Sequence, residues 1–176
     1  MQKYYSIMTS IGVARYAQAL VDGVGLEITH MAVGDGNGLF VEPWEGMAGL
    51  VNEVWRGEVN RIALSEENPN WITIEGKIPV DVGGWWIREV GLFDSAGDLV
   101  AVSNYPPTEK PVLADGAGQD LYIRLPLAVE NTSAITLTIE PSVVMASRQY
   151  VDSITEVLAE TVKAGLRRAF FYTNTM

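Results

Sequence analysis

The sequence predicts an α+β fold, with a mainly antiparallel β core between an N-terminal helix and a C-terminal helix. Apolar residues recur at helical spacing over residues 10–22 and again over 147–166. Between about 65 and 140 they instead alternate with polar residues, as in half-buried strands. Short polar turns separate these alternating segments, which favours hairpins and antiparallel pairing.

The first helix, 10–22, has Ser10 as its predicted N-cap and Gly23 at the position where a helix commonly ends. A short apolar strand, 28–33, follows and runs into the glycine-rich segment 34–38. That segment is predicted to be a structural turn, with a cation site or a nucleotide loop as alternatives. Leu39 stands where a dinucleotide loop needs glycine, and no Gly-Lys-Ser/Thr follows.

The alternating segments predict the strands of the core, and two of their turns predict hairpins. A turn at 94–97 joins one pair of strands, and a turn at 130–134 joins the strands at 121–129 and 135–139. Pro126 lacks a backbone donor, so its strand should be an edge strand or carry a bulge. The Pro- and Gly-rich residues 105–119 predict a long exposed loop.

Composition argues against most kinds of chemistry. The chain has 176 residues, no Cys and a single His, so thiolate and multi-His metal sites are excluded. The net charge of −10 argues against a nucleic-acid partner, and no apolar run is long enough for membrane insertion. No motif selects a catalytic pair among the 22 acidic residues. We therefore predict neither enzymatic activity nor a cofactor or metal.

Two tryptophans and an Arg-Glu pair stand out in the segment 85–93. Period two places Trp85 and Trp86 on opposite faces of a strand, so one belongs to the core and the other is exposed or at an interface. Arg88 is predicted to share a face with Trp86 and Val90 as a paired, partly buried side chain. Ligand binding by Arg88 is the alternative.

The helix at 147–166 carries one apolar stripe, formed by Val151, Ile154, Leu158 and Val162. It could pack on its own domain, form a short coiled coil or link to a further region. Its heptad pattern is incomplete, because Thr161 and Gly165 occupy the next two core positions. The residues after Arg167 are unlike a natural helix ending, which a truncation or an altered reading frame would explain.

The stretch from Val82 to Asp94 resembles the N-terminal domain of phage tail-collar fibre proteins, which occur in contractile-tailed phages and R-type pyocins. The resemblance continues through 97–102 and 105–107 and covers roughly residues 4–160. The motif residues that carry it most clearly are Gly84, Trp86, Arg88, Glu89, Gly91 and Asp94.

This resemblance implies a structural virion protein, made in the cytoplasm of the bacterial host and located in the tail. Residues 1–146 would be the domain that anchors the fibre to baseplate proteins, and 147–176 the C-terminal helix that starts the shaft. A homotrimer is implied, with the stripe of Val151, Ile154, Leu158 and Val162 as its seam. Two alternatives stay open: a carbohydrate-binding or depolymerising module that uses Trp85 or Trp86, and an assembly factor absent from the virion.

Overall fold

A computed structural model of the chain describes residues 4–65, 68, 70–112, 119–129 and 131–139. These residues form eight strands and one α-helix, together with two 3₁₀ turns. The strands are β1 (Ser6–Met8), β2 (Ile28–Gly34), β3 (Glu53–Leu64), β4 (Trp71–Ile78), β5 (Trp85–Asp94), β6 (Leu99–Lys110), β7 (Leu121–Ala128) and β8 (Thr138–Ile139). The helix is α1 (Ser10–Asp22), and the 3₁₀ turns are Gly36–Gly38 and Thr132–Ala134.

The strands form a single antiparallel sheet that curls into a nearly closed barrel. Its order is β1-β6-β5-β2-β3-β4-β7, and β8 pairs with the free side of β3 beyond β2. The edge strands β1 and β7 approach each other without pairing. Pro126 lies on β7, so the predicted edge strand is confirmed; the proline lacks a donor and discourages strand addition at that edge.

The predicted α+β class is wrong, because the described residues are mainly β and contain one helix of 13 residues. The β core also begins earlier than residue 65. Strand β2 lies between β5 and β3 near the middle of the sheet, and it is buried on both faces toward its end. A strand buried on both faces lacks the alternation that marks a half-buried strand. The predicted helix at 147–166 lies outside the described residues.

Two of the predicted connections are also corrected. Residues 105–110 are not loop but the second half of β6, and Trp85 pairs with Lys110 at its end. The ladder is interrupted between Ile87 and Glu89, where Tyr105, Pro106 and Pro107 lie opposite Arg88. The two prolines, which lack a backbone donor, therefore lie in the interruption and not at paired positions of the ladder.

The second correction concerns the strand after β7. The hairpin predicted at 130–134 is wrong, because in the described part of the chain β8 pairs with β3 rather than with β7. Leu26 redirects the chain: its N–H donates to the Ala134 carbonyl at 2.7 Å, and its own carbonyl accepts from Thr136 N at 3.0 Å. The hairpin predicted at 94–97 is confirmed between β5 and β6.

Two apolar cores lie on opposite sides of the sheet. The large inner core fills the barrel with side chains from β2 to β7, such as Met31, Ile74 and Ile123, all fully buried. The small outer core lies on the convex side of β2, β5 and β6, beneath the segment 35–52. Its buried members are Ala32, Val41, Met47, Phe93, Leu99 and Val102. The outer core thus makes a long irregular segment part of the fold.

Helix α1 lies against β6 and is capped by Thr9, one residue before the predicted cap. The Thr9 hydroxyl accepts from Gly12 N at 3.0 Å and donates to the carbonyl of Leu99. The helix ends at Gly23, which takes the left-handed conformation with φ 65°, as predicted. At Gly12 the helix approaches so closely that a Cβ atom there would clash with the Val100 carbonyl oxygen.

We expect Gly12→Ala to lower the free energy of unfolding by about 1–3 kcal/mol, because the added methyl group forces α1 away from β6. Urea denaturation followed by circular dichroism measures this change. Gly49→Ala is the matched control, since a Cβ at Gly49 meets nothing within 4 Å. Equal stability of the two variants would contradict the close contact between helix and strand.

Candidate functional site

The motif along β5 divides into residues that shape the fold and residues that face outward. As predicted, the two tryptophans lie on opposite faces: Trp85 packs against the inner core, whereas Trp86 is 43% exposed on the outer side. Arg88 lies 5.7 Å from the Trp86 ring and shares its face. Val90 belongs to the inner core instead, because the bulge after Ile87 changes the register between Arg88 and Val90.

Glu89 is the buried anchor of the segment 35–52. Its carboxylate is fully buried and accepts hydrogen bonds from Val51 N at 2.9 Å and Asn52 N at 3.0 Å. Gly34 faces the same carboxylate, and a Cβ at that position would collide with Oε1. A buried charge is tolerated when donors surround it. Glu89 therefore fixes the end of the segment against β5.

The start of the same segment is fixed by Asp35. Its carboxylate accepts from Asn37 N and from the Asn52 side-chain amide, both at 2.8 Å. These bonds, the Asn52 bond above all, hold the pKa of the Asp35 carboxyl below its ordinary value, and Arg88 contributes in the same direction. Arg88 also donates to the Asp35 carbonyl at 3.3 Å. Since Asn52 contacts Asp35, the two ends of the segment are joined directly.

The middle of the segment is held by packing. Val41 and Met47 are buried in the outer core against β2, β5 and β6. Beside them, the Glu45 carbonyl accepts from Ser10 N at 2.6 Å, which links the segment to the start of α1. An irregular segment of this length is usually mobile unless its own side chains anchor it. Here it is anchored at both ends and at its centre.

The anchored segment nevertheless exposes large apolar side chains. Leu39 is 72% exposed, Phe40 57% and Trp44 62%, and the exposed Trp86 is linked to the start of the segment through Arg88. We call these four residues the aromatic surface. Exposed aromatic and aliphatic groups on a rigid support are typical of a site where another protein binds.

The other motif residues have structural roles. Gly91 faces the outer core, where a Cβ would come within 2.9–3.1 Å of Leu99, Leu50 and Phe93. The Asp94 carboxylate accepts from Ala96 N and Asp98 N and so forms the turn between β5 and β6. Gly84 takes φ 85° before β5 and donates to the Lys110 carbonyl at 2.7 Å. These residues position the outer core and the Arg88–Trp86 pair.

The structure offers few other candidate sites. Among the described residues, no three His, Asp or Glu side chains lie together as metal ligands would, and no helix is long and apolar enough to cross a membrane. The carboxylate in the turn at 34–38 belongs to Asp35, and it accepts hydrogen bonds from Asn37 and Asn52 within the fold. An open cleft of about 340 Å³ lies where β1 approaches β7. Its walls include Tyr4, Tyr5, Trp71, Tyr105, Arg124 and Pro126.

Sequence reasoning did not select Leu39, Phe40 and Trp44. The only signal was a run of large apolar residues in a segment without periodicity, directly after a glycine-rich turn. The predicted seam of Val151, Ile154, Leu158 and Val162 lies outside the described residues, so it stays a prediction.

We expect Glu89→Gln to loosen the segment 35–52, because a neutral amide presents one acceptor oxygen to two backbone donors. The loss should be about 1.5–3 kcal/mol in the free energy of unfolding, with faster hydrogen exchange at Val51 and Asn52. Glu42→Gln, an exposed change in the same segment, is the control. Unchanged exchange in Glu89→Gln would contradict the anchoring role.

Comparison with known proteins identifies the family of this chain. The chain is 43% identical over 153 residues to a probable tail fiber protein of Escherichia phage P2, a match that covers 85% of this chain and 23% of that protein. The chain thus spans about a quarter of the length of this relative. No solved structure matches it. A family model described as phage tail-collar fibre protein, N-terminal, matches residues 1–149, and the chain therefore belongs to this family of structural tail proteins of the phage virion.

Proposed function

We propose that residues 1–146 anchor a tail fibre to the baseplate through the aromatic surface, and that the chain acts as a homotrimer without enzymatic activity. The observation that carries the proposal is that the segment 35–52 is fixed to the fold while its large apolar side chains stay exposed. The segment 35–52 is fixed by two buried side chains and by four hydrogen bonds that the carboxylates of Glu89 and Asp35 accept. The same segment leaves Leu39, Phe40 and Trp44 in solvent.

Pre-organisation explains why such a surface suits attachment. A segment that is already ordered loses little conformational entropy when a partner binds. Large aromatic groups supply most of the binding energy in protein interfaces and cluster near their centres. The aromatic surface combines an ordered segment with large aromatic groups. A site that attaches a fibre under load requires both.

Charge supports a protein partner. The chain has 22 acidic and 12 basic side chains, so it repels nucleic acid and favours a partner surface that is apolar or basic. Arg88 is the cation beside the aromatic surface, and its guanidinium is shared between Trp86 and the Asp35 carbonyl. The partner would therefore meet an apolar surface flanked by an oriented positive group.

The same contact weighs against the carbohydrate-binding alternative. Stacking of a sugar requires a free aromatic face. Trp85 packs against the inner core, and the Trp86 ring already carries the Arg88 guanidinium on one face. One face of Trp86 at most is therefore left for a sugar.

We expect Phe40→Ser with Trp44→Ser to weaken binding to the baseplate at least tenfold, because two aromatic anchors are lost. The measurement is capture of fibreless tail particles on the immobilised 176-residue chain. Tyr122→Ser is the control, since Tyr122 is also partly exposed but lies on β7, away from the segment 35–52. Equal capture by the double variant and the wild type would refute attachment through this surface.

We expect Ile154→Asp to lower the oligomer mass without unfolding the β core, because a charge would enter the apolar stripe proposed as the trimer seam. Light scattering on a sizing column gives the mass, and circular dichroism reports the fold. Thr155→Asp adds the same charge beside the stripe and should leave the mass unchanged. A variant that unfolds, or that keeps its mass, would count against the seam.

A further inference from the structure

The Trp44 ring lies in solvent, yet the chain beneath it holds it in place. Residues 44–47 form a turn in which the Met47 N–H donates to the Trp44 carbonyl at 3.2 Å. The six-membered part of the Trp44 ring occupies the space beside Gly46, so that a Cβ atom at Gly46 would collide with it. Met47 is buried in the outer core, which fixes the turn to the sheet. The ring is therefore supported on one side and open to a partner on the other.

Two carboxylates flank this ring along the chain. Val41 and Pro43 are buried, whereas Glu42 and Trp44, which alternate with them, are exposed. A proline favours extended backbone at the residue before it, and in extended backbone residues two apart lie on the same side, about 7 Å from each other. Glu45 is exposed as well and follows Trp44 directly in the turn. Trp44 thus has an exposed carboxylate on either side of it.

Neither carboxylate is neutralised within the described part of the chain. The segment 35–52 contains three acidic residues and no basic residue, and the fold itself uses the carboxylate of Asp35. Glu42 and Glu45 form no ion pair with any described residue, whereas Glu53 and Glu75 on the neighbouring strands are each paired with an arginine. The negative charge beside Trp44 is therefore left for a partner.

We propose that Trp44, Glu42 and Glu45 together receive a basic side chain, arginine above all, from the protein to which the aromatic surface attaches. The inference rests on the proposed attachment function and names the chemistry of its partner. A guanidinium group stacks on an aromatic ring through its flat face and donates hydrogen bonds to carboxylates from its edge. The segment offers the ring and the carboxylates side by side, so one arginine can use both.

Other partner surfaces fit this position less well. A purely apolar surface laid over Trp44 would take the two neighbouring carboxylates out of water without giving them donors, which is costly. An acidic surface would be repelled by the same carboxylates and by the net charge of −10. A metal ion would lack ligands, since no group of three His, Asp or Glu lies together in the described residues. Charge complementarity therefore selects a basic protein surface.

Removal of the two charges tests the contact. In the full 176-residue chain, Glu42→Gln with Glu45→Gln should weaken the capture of fibreless tail particles several-fold at low ionic strength. Added salt should then weaken capture less than it does for the wild type, because salt screens ion pairs near the surface. Glu27→Gln with Asp81→Asn is the matched control, since it removes the same charge from exposed positions outside the segment 35–52. The control should capture tails as the wild type does, and circular dichroism verifies the fold of both variants.

The support of the ring is tested separately with Gly46→Ala, whose methyl group would displace the Trp44 ring. Capture should fall several-fold in the wild-type chain, whereas the same change in a Trp44→Ser chain should cause no further loss. Equal losses in the two chains would show that Gly46→Ala acts on the fold and would overturn the role of the supported ring.

The two proposals fail in different ways. If the Phe40 and Trp44 double variant loses capture while the double glutamine variant matches its control at every salt concentration, attachment through the aromatic surface stands and the basic partner is refuted. If the Phe40 and Trp44 double variant captures tails normally, the attachment proposal is refuted, and the inference that rests on it is refuted as well.

Discussion

The bond between the buried Glu89 carboxylate and the amides of Val51 and Asn52 is the interaction on which the outer side of the domain depends. Burial of a carboxylate costs several kcal/mol unless donors surround it, so the segment 35–52 and Glu89 require each other. Gly34 is part of the same constraint, because its missing side chain leaves the space that the carboxylate occupies. Once this contact forms, Val41 and Met47 lie over the outer core.

The bulge in β5 connects this anchor to the exposed surface. In an unbroken strand, residues 88 and 90 would face the same side. The interruption after Ile87 lets Val90 turn to the inner core while Arg88 stays on the outer face beside Trp86. Bulges often re-orient a side chain in this way. The two prolines of β6 lie opposite the same point. One interruption of the ladder therefore re-orients the side chains of β5 and accommodates the prolines of β6.

Sequence periodicity predicted the parts of the fold that have one exposed face. The strands β4 and β7 alternate cleanly because one side of each lies in the inner core and the other in solvent. Strand β2 was predicted at 28–33 but outside the β core of about 65–140, because its burial on both faces toward its end removes the alternation. The segment 35–52 carries no period at all, since its order comes from hydrogen bonds to residues distant in sequence. The aromatic surface was missed for the same reason, although Trp86 and Arg88 on the strand beneath were singled out.

The support of the aromatic surface extends from the sheet to the start of α1. The aromatic surface lies mainly on an irregular segment that hydrogen bonds to the buried Glu89 carboxylate hold against β5. Helix α1 is joined to the same segment, because the Ser10 N–H at its start donates to the Glu45 carbonyl.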